Sequence, residues 1–395
     1  MPLILILRLV FSALSLVVLG AACWLLWSWY DGNLYVTVDG DIHVLLVDWR
    51  IWVGGILLLS SLLGKWLWVP LLSKADRGEA LRPERTDGKM VEAATGGQVY
   101  VETSGPLDRP TVVLTHGWGM DSTIWFYLRR LLSRNFRVVV WDLPGTGKSM
   151  PNRRITLDAF AANLGRIVKD LEGDVVLVGH SIGGMTIQNL AKMQPELFGT
   201  KVKGVVLLNT TYTNPLKTMV LPGVALALRP LLELIFRLTV WLEPLAWANS
   251  WQSYLSGSTH MANRIAFGPR VTRSQLNYTS LLTTRNSPGA QAQGNLAMFR
   301  WDATDALTNT SVPVLVIGGK NDIVTKASAS ERIAATIPNA QLQIIPGANH
   351  MSFLDEADTY NPLVVSFCQS LLPRPAPKLV DATRLQSGVA DRRVQ

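Results

Sequence analysis

The sequence predicts an α/β fold that carries a helical insertion and follows a two-helix transmembrane hairpin. Three observations lead there. Short apolar-rich runs recur at 111–115, 136–141, 174–178, 202–209, 312–318 and 341–345, bounded by Gly, Asp, Asn or Pro. Runs of that length with such boundaries read as buried strands. One of them, 174–178, leads into Gly179-His180-Ser181-Ile182-Gly183 and then a helical stretch over 184–193. The chain also begins with two apolar segments, 9–30 and 51–69, far longer than any strand.

The serine turn is the strongest of these signals. A strand that feeds G-x-S-x-G into a helix turns sharply and holds the serine hydroxyl out at the strand's C-terminal end. Gly179 and Gly183 are expected where the turn crowds the backbone and leaves no room for a Cβ. Ser181 is therefore the candidate nucleophile. A serine hydroxyl needs a base to take its proton, and the base needs an acid to orient it. On a strand–turn–helix serine the partners follow in the order acid, then histidine.

Five histidines make elimination practical. His43 lies in the N-terminal apolar region. His116 precedes the serine and belongs to another motif. His180 abuts Ser181, with its side chain expected to point away. His260 falls in a long insertion. His350 remains, in the loop Pro346-Gly347-Ala348-Asn349-His350 after the strand at 341–345. The acid should leave the preceding strand, where Gly319-Lys320-Asn321-Asp322 follows 312–318. Asp322 is the candidate, with Asp302 and Asp305 as competitors one strand earlier.

Acyl transfer also needs N–H donors aimed at a developing oxyanion. The backbone of Ile182, directly after the serine, should supply one. The loop His116-Gly117-Trp118-Gly119 after strand 111–115 should supply the other, through Trp118, whose ring would line the pocket. The run Asp142-Leu143-Pro144-Gly145-Thr146-Gly147-Lys148-Ser149 invites a nucleotide-binding reading. A phosphate loop needs glycine where this chain has Asp142, so the run reads as a turn.

Taken together, His116-Gly117, Asp142-x-x-Gly145-x-Gly147-x-Ser149, Gly179-x-Ser181-x-Gly183, Asp322 and His350 resemble the α/β-hydrolase superfamily in order and spacing. The likeness covers roughly residues 97–372 and is specific for fold and triad, not for substrate. It implies an eight-stranded, mostly parallel sheet wrapped by helices, no cofactor and no metal, and an acyl-enzyme intermediate. The serine distinguishes the chain from related epoxide hydrolases and haloalkane dehalogenases, which carry aspartate there.

Of the 395 residues, 48% are hydrophobic, an excess concentrated at the start of the chain. Segments 9–30 and 51–69 are each long enough to cross a hydrocarbon core of about 30 Å. A cleaved leader followed by a buried helix is the competing reading. The segment 31–43 between the two holds no Lys or Arg, whereas Lys74, Arg77, Arg82, Arg85 and Lys89 follow the second. That asymmetry places both ends and the downstream domain on the cytoplasmic side of a two-pass, bacterial inner-membrane-type topology. Trp24, Trp27, Trp29 and Tyr30 with Trp49 and Trp52 would mark the outer interface. Residues 34–47 read as a small hairpin turning at Asp39-Gly40.

The expected organisation is thus an anchor over 1–72, a linker over 73–95, a core over 96–210 and 306–372, a helical cap over 211–305 and a disordered tail over 373–395. Pro222, Pro230 and Pro244 should divide the apolar first part of the cap into short helices, with Leu232 and Phe236 on one face. Two cysteines, Cys23 and Cys368, predict no disulfide. The net charge of +8 suits an anionic membrane surface, and no motif points to nucleic acid. The expected partners are the membrane and a small-molecule or lipid ester. The expected activity is cleavage of esters of apolar acyl chains, of carboxylesterase or monoacylglycerol-lipase type. A cofactor-free haloperoxidase or perhydrolase, a thioesterase or an amidase would share every motif, and a non-catalytic receptor on the same scaffold is the rival of another class.

Overall fold

The computed structural model describes residues 2–36, 42–44, 48–150, 155–338 and 340–372. Eight strands form one sheet: β1 (Gly88–Glu92), β2 (Gln98–Ser104), β3 (Thr111–Thr115), β4 (Arg137–Trp141), β5 (Val175–His180), β6 (Val202–Leu208), β7 (Val314–Gly319) and β8 (Ala340–Ile345). Their order is β8-β7-β6-β5-β3-β4-β2-β1. β3 to β8 run parallel, while β2 and β1 run antiparallel at one edge. This is the eight-stranded, mostly parallel sheet that the motifs implied.

Every residue of β3, β5 and β7 is buried, as strands covered by helices on both faces must be. The side chains alternate between two apolar layers. Val113, Val139, Leu177, Val205 and Val316 enter one core, and Val112, Val138, Val176, Val206 and Leu315 the other. That two-residue period fixes the register and aims the C-terminal ends of β5, β7 and β8 at one edge of the sheet.

Two boundaries differ from the sequence expectation. β1 lies inside the stretch 73–95 expected to be a linker. Four of its five residues are exposed, so it carries no buried apolar period and is held by main-chain pairing to β2. The apolar stretch 51–69 is not one helix. It is α2 (Trp49–Leu63) and α3 (Lys65–Leu72), bent by 61° at Gly64. A Cβ at Gly64 would come within 2.4 Å of the Ser256 carbonyl oxygen, so glycine lets the chain turn onto the insertion there. The first apolar segment is a single helix, α1 (Pro2–Asn33), whose span Ile6–Gly32 is long and apolar enough to cross a membrane. A short antiparallel ribbon pairs Leu34–Val36 with Ile42–Val44. Its Asp39-Gly40 turn and the tail 373–395 lie outside the described residues.

Between β6 and β7 the chain forms seven helices, from Pro215–Thr218 to Pro288–Met298. Pro222, Pro230 and Pro244 each stand in the first turn of a helix, where proline costs no hydrogen bond. The division of the cap by proline follows from this. α1 packs against Glu243–Ser256 and Ser258–Arg264 of this insertion.

Candidate active site

β5 ends in the turn that carries Ser181, with φ 53° and ψ −116°. The left-handed φ is unusual for a residue with a Cβ and is held by its surroundings. A Cβ on Gly179 would lie 2.5 Å from the Gly183 carbonyl carbon, and one on Gly183 would lie 2.1 Å from the Thr115 carbonyl oxygen. The two glycines therefore let strand, turn and helix Ile182–Met193 approach each other against β3.

His350 follows β8, and Asp322 follows β7. The Ser181 Oγ lies 3.1 Å from His350 Nε2, and His350 Nδ1 lies 2.9 Å from Asp322 Oδ2. All three are buried, with His350 and the Asp322 carboxylate fully so. The Val324 and Thr325 N–H groups, the Thr325 hydroxyl and the Asn209 amide also donate to Asp322. Burial alone would raise this carboxyl. His350 and the hydrogen bonds from Asn209 and Thr325 outweigh burial and hold it below the ordinary carboxylate value. A carboxylate ionised this way orients the imidazole. The competitors are engaged elsewhere: Asp302 accepts from Thr213 and Thr304, and Asp305 pairs with Arg332 at 3.5 Å.

The Ile182 N–H opens its helix, and the Trp118 N–H lies in the Gly117–Met120 turn beside it. Neither meets an acceptor among the described residues. A Cβ on Gly117 would come within 2.5 Å of His180 Nδ1, so a side chain there would have to displace the His180 ring. The Trp118 ring packs on Gly294, where a Cβ would lie 2.0 Å from it, and its Nε1 donates to the Gln291 carbonyl at 3.0 Å.

Three supporting residues escaped the sequence reading. His180 donates from Nε2 to the His350 carbonyl at 3.0 Å, with its ring 4.9 Å from that of His350. Burial, then the neighbouring His350, pushes its pKa down to about 3, so it is neutral. His116 accepts the Leu143 N–H at Nε2 and donates to the Gly117 carbonyl from Nδ1, tying the Trp118 loop to the Asp142 turn. That turn is wrapped around its own carboxylate: Asp142 accepts from the N–H groups of Ser122 and Lys148 and from Arg85. Asn209, with φ 44°, ends β6 and braces Asp322. Its signal was present as a polar residue closing an apolar strand, but only the pairing of β6 with β7 gives it a role.

A cavity of about 170 Å³ lies under the insertion, walled by Trp118, Phe236, Thr283, Gln291 and Ser253 and, from α1, by Arg8 and Ser12. That is comparable to engineered cavities of about 150 Å³ that bind benzene. A smaller one beside it is lined by Arg8, Trp118, Met120, Phe267, Thr283 and Met351. The Trp118 ring thus lines both. Of the pair on the cap helix Arg229–Trp241, Phe236 faces the larger cavity, whereas Leu232 packs into an apolar cluster with Leu216 and Phe299.

The fold and this geometry define an α/β protein with a serine at the switch edge of a parallel sheet. The profile of the alpha/beta hydrolase family matches residues 112–363, and the chain belongs to that family. It is 31% identical over 310 residues to polyketide synthase ThaQ of Burkholderia thailandensis, covering 76% of this chain but only 13% of that one. It is 27% identical to a pimeloyl-[acyl-carrier protein] methyl ester esterase of Nitrosospira multiformis, over 69% of this chain and 100% of that one. A non-heme chloroperoxidase of Streptomyces lividans is 28% identical, over 71% of this chain and 99% of its own length. Among solved structures, the esterase EaEST of Exiguobacterium antarcticum superposes with a TM-score of 0.59 at 20% identity, over 72% of this chain and all of that one. At that identity the likeness speaks for the fold.

Proposed function

We propose that the protein is a membrane-anchored serine hydrolase that cleaves carboxylic esters of apolar acyl chains, of carboxylesterase or monoacylglycerol-lipase type. The observation that carries this reading is the continuous chain from Ser181 Oγ through His350 to Asp322, at 3.1 and 2.9 Å. Ser181 attacks the ester carbonyl while His350 Nε2 takes its proton. The Trp118 and Ile182 N–H groups receive the oxyanion. His350 then protonates the leaving alcohol, with Asp322 stabilising the imidazolium, and water releases the acid from the acyl-enzyme by the reverse sequence. The apolar part of the cavity, with Phe236 and Ala292, suits an acyl chain. The esterase relative supports ester cleavage. The chloroperoxidase relative favours, as the second reading, a cofactor-free haloperoxidase on the same triad. The complete triad counts against a pure receptor.

The membrane part of the reading rests on α1 and on what surrounds it. Trp24, Trp27 and Tyr30 of α1 and Trp49 and Trp52 of α2 are all more than half exposed, as an aromatic belt would be. Leu231, Leu234, Trp241 and Leu245 of the insertion are likewise exposed. The Lys and Arg asymmetry favours a two-pass chain with the catalytic domain in the cytoplasm.

The test is fluorophosphonate labelling of membranes from expressing cells. Wild type labels and Ser181→Ala does not. Equal labelling of both removes Ser181 as nucleophile. Reporter fusions at Gly40 and Gln395 are expected to read outside and inside, respectively. A reporter at Gln395 that reads outside reverses the topology.

A further inference from the structure

We propose that Arg8, on the N-terminal apolar helix, binds an oxyanion carried by the substrate, so that the helix read as an anchor also forms part of the binding site. This rests on the reading that the cavity under the insertion receives the ester. Arg8 lines both cavities, as do Trp118 and Thr283. The smaller cavity also includes Met351, the residue after His350, and Met120, three residues after Gly117. The cation therefore faces these two cavities, which the loops of Gly117 and His350 help to wall, rather than the lipid side of α1.

Its protein partners leave its charge unmatched. Arg8 donates from Nε and Nη2 to one atom, Asn263 Oδ1, at 3.0 and 2.5 Å. Among the described residues no carboxylate pairs with it. A guanidinium offers five N–H donors in a planar fork, and a charge set in a protein wall without a counter-ion is costly. By contrast Arg85, also largely buried, meets Glu102, Asp121 and Asp142. Around Arg8 the cavity walls are neutral: the Ser12, Ser253 and Thr283 hydroxyls donate to Asn249, Ser12 and the Ser280 carbonyl, and Thr259 adds a further hydroxyl. A cationic fork among neutral hydroxyls is complementary to a carboxylate or phosphate. The apolar wall of Phe236, Leu9 and Ala292 then takes the hydrocarbon of the same molecule. The structure thus assigns an amphiphilic ester with an oxyanion, either the free carboxylate of a half-ester or the phosphate of an acylated alcohol phosphate.

The experiment compares two matched pairs on full-length protein in nanodiscs. One pair is the methyl ester of octanoate and the half-methyl ester of octanedioate. The other is a monoacylglycerol and the corresponding acylglycerol phosphate. Wild type is expected to favour the charged member of at least one pair, and the pair in which it does so identifies carboxylate or phosphate. Arg8→Gln is expected to reduce that preference about 10- to 100-fold, chiefly through KM, as loss of a charge-assisted hydrogen bond predicts. Arg8→Lys, which keeps the charge but not the fork, should retain part of it, and it serves where Arg8→Gln does not fold. A wild-type preference for the neutral member in both pairs overturns the proposal. So does a charged preference that both variants leave unchanged. A separate arm needs no turnover: quenching of protein tryptophan fluorescence by octyl phosphate and octanoate against octanol. Tighter binding of the anions in wild type, lost in Arg8→Gln, supports the Arg8 site even if no ester is cleaved and the hydrolase reading fails. Equal binding of all three ligands overturns the site while leaving the hydrolase reading standing.

Discussion

The sheet edge that carries the triad and the seam that joins α1 to the insertion are both buried contacts, but they are built from opposite materials. At the sheet edge, Ser181 and Asp322 follow fully buried strands, His350 follows the half-exposed β8, and the Asp322 carboxylate is richly supplied with partners. Asp322 alone receives hydrogen bonds from Asn209, Val324, Thr325 and His350. At the seam, an otherwise apolar helix meets its partner through hydroxyls and amides. Ser12 bonds Asn249 and Ser253, Ser15 bonds Gln252 and Ser256, and Arg8 bonds Asn263. The lesson is that apolar packing fixes position at the sheet edge, whereas at the seam polar pairing does. Were both faces of α1 apolar, nothing would distinguish the face meant for the insertion from the face meant for lipid.

The comparison predicts a graded set of outcomes. The largest belongs to the sheet edge. Asp322→Asn keeps the shape of the carboxylate but offers an amide to His350 Nδ1, which favours the wrong tautomer. kcat for ester hydrolysis should fall on the order of 10³- to 10⁴-fold with KM little changed. A loss below tenfold would mean that another acid serves His350.

The next is a pH effect at the same edge. His180 is held neutral with a pKa near 3 against an ordinary value near 6.5. The unfolded chain therefore binds a proton that the folded one refuses. The stability from this histidine is complete above pH 6.5 and is lost progressively as pH falls toward 3. At pH 5 the loss is about 2 kcal/mol. Asp322, whose carboxyl is depressed, contributes stability above its ordinary value and loses it only at lower pH, so it does not act in this window. Thermal unfolding should show Tm falling from pH 7.5 to 5. His180→Gln, which can still donate to the His350 carbonyl, should reduce that slope, the remainder coming from His116 and His260, which burial also holds neutral. An unchanged slope would assign the acid sensitivity to other groups.

The smallest effect belongs to the seam. Ser12→Ala with Ser15→Ala removes hydrogen bonds to the insertion, each worth about 1 kcal/mol. Hydrogen exchange in Glu243–Ser256 should accelerate, while β3, β5 and β6 exchange as before. Equal protection in both regions would show that apolar contacts hold the seam after all, and the contrast would collapse.

Much of the first region is legible in the sequence for a physical reason. A parallel strand covered on both faces must be apolar throughout, and a strand-to-helix turn at a reactive serine must have glycines where backbones touch. Gly179, Gly183 and Gly117 therefore announce themselves, and Ser181, Asp322 and His350 follow from chain order. β1 was not legible, because an exposed edge strand held by main-chain bonds has no side-chain signature. His180, His116 and Asn209 were visible as residues but not as supports. Their partners lie 170, 27 and 113 positions away.

By itself the sequence determined the six parallel strands, the serine turn, the order of the candidate triad and the presence of long apolar segments, because each rests on residues close together in the chain. Only the tertiary structure decided that the segment 51–69 bends at Gly64, since that bend follows the approach of the Ser256 carbonyl from about 190 residues away. It alone decided that Phe236 faces a cavity while Leu232 does not, and that Arg8 of the first helix reaches the space beside Trp118. Such contacts are set by how the insertion folds back over the sheet, and no local pattern of residues encodes that path.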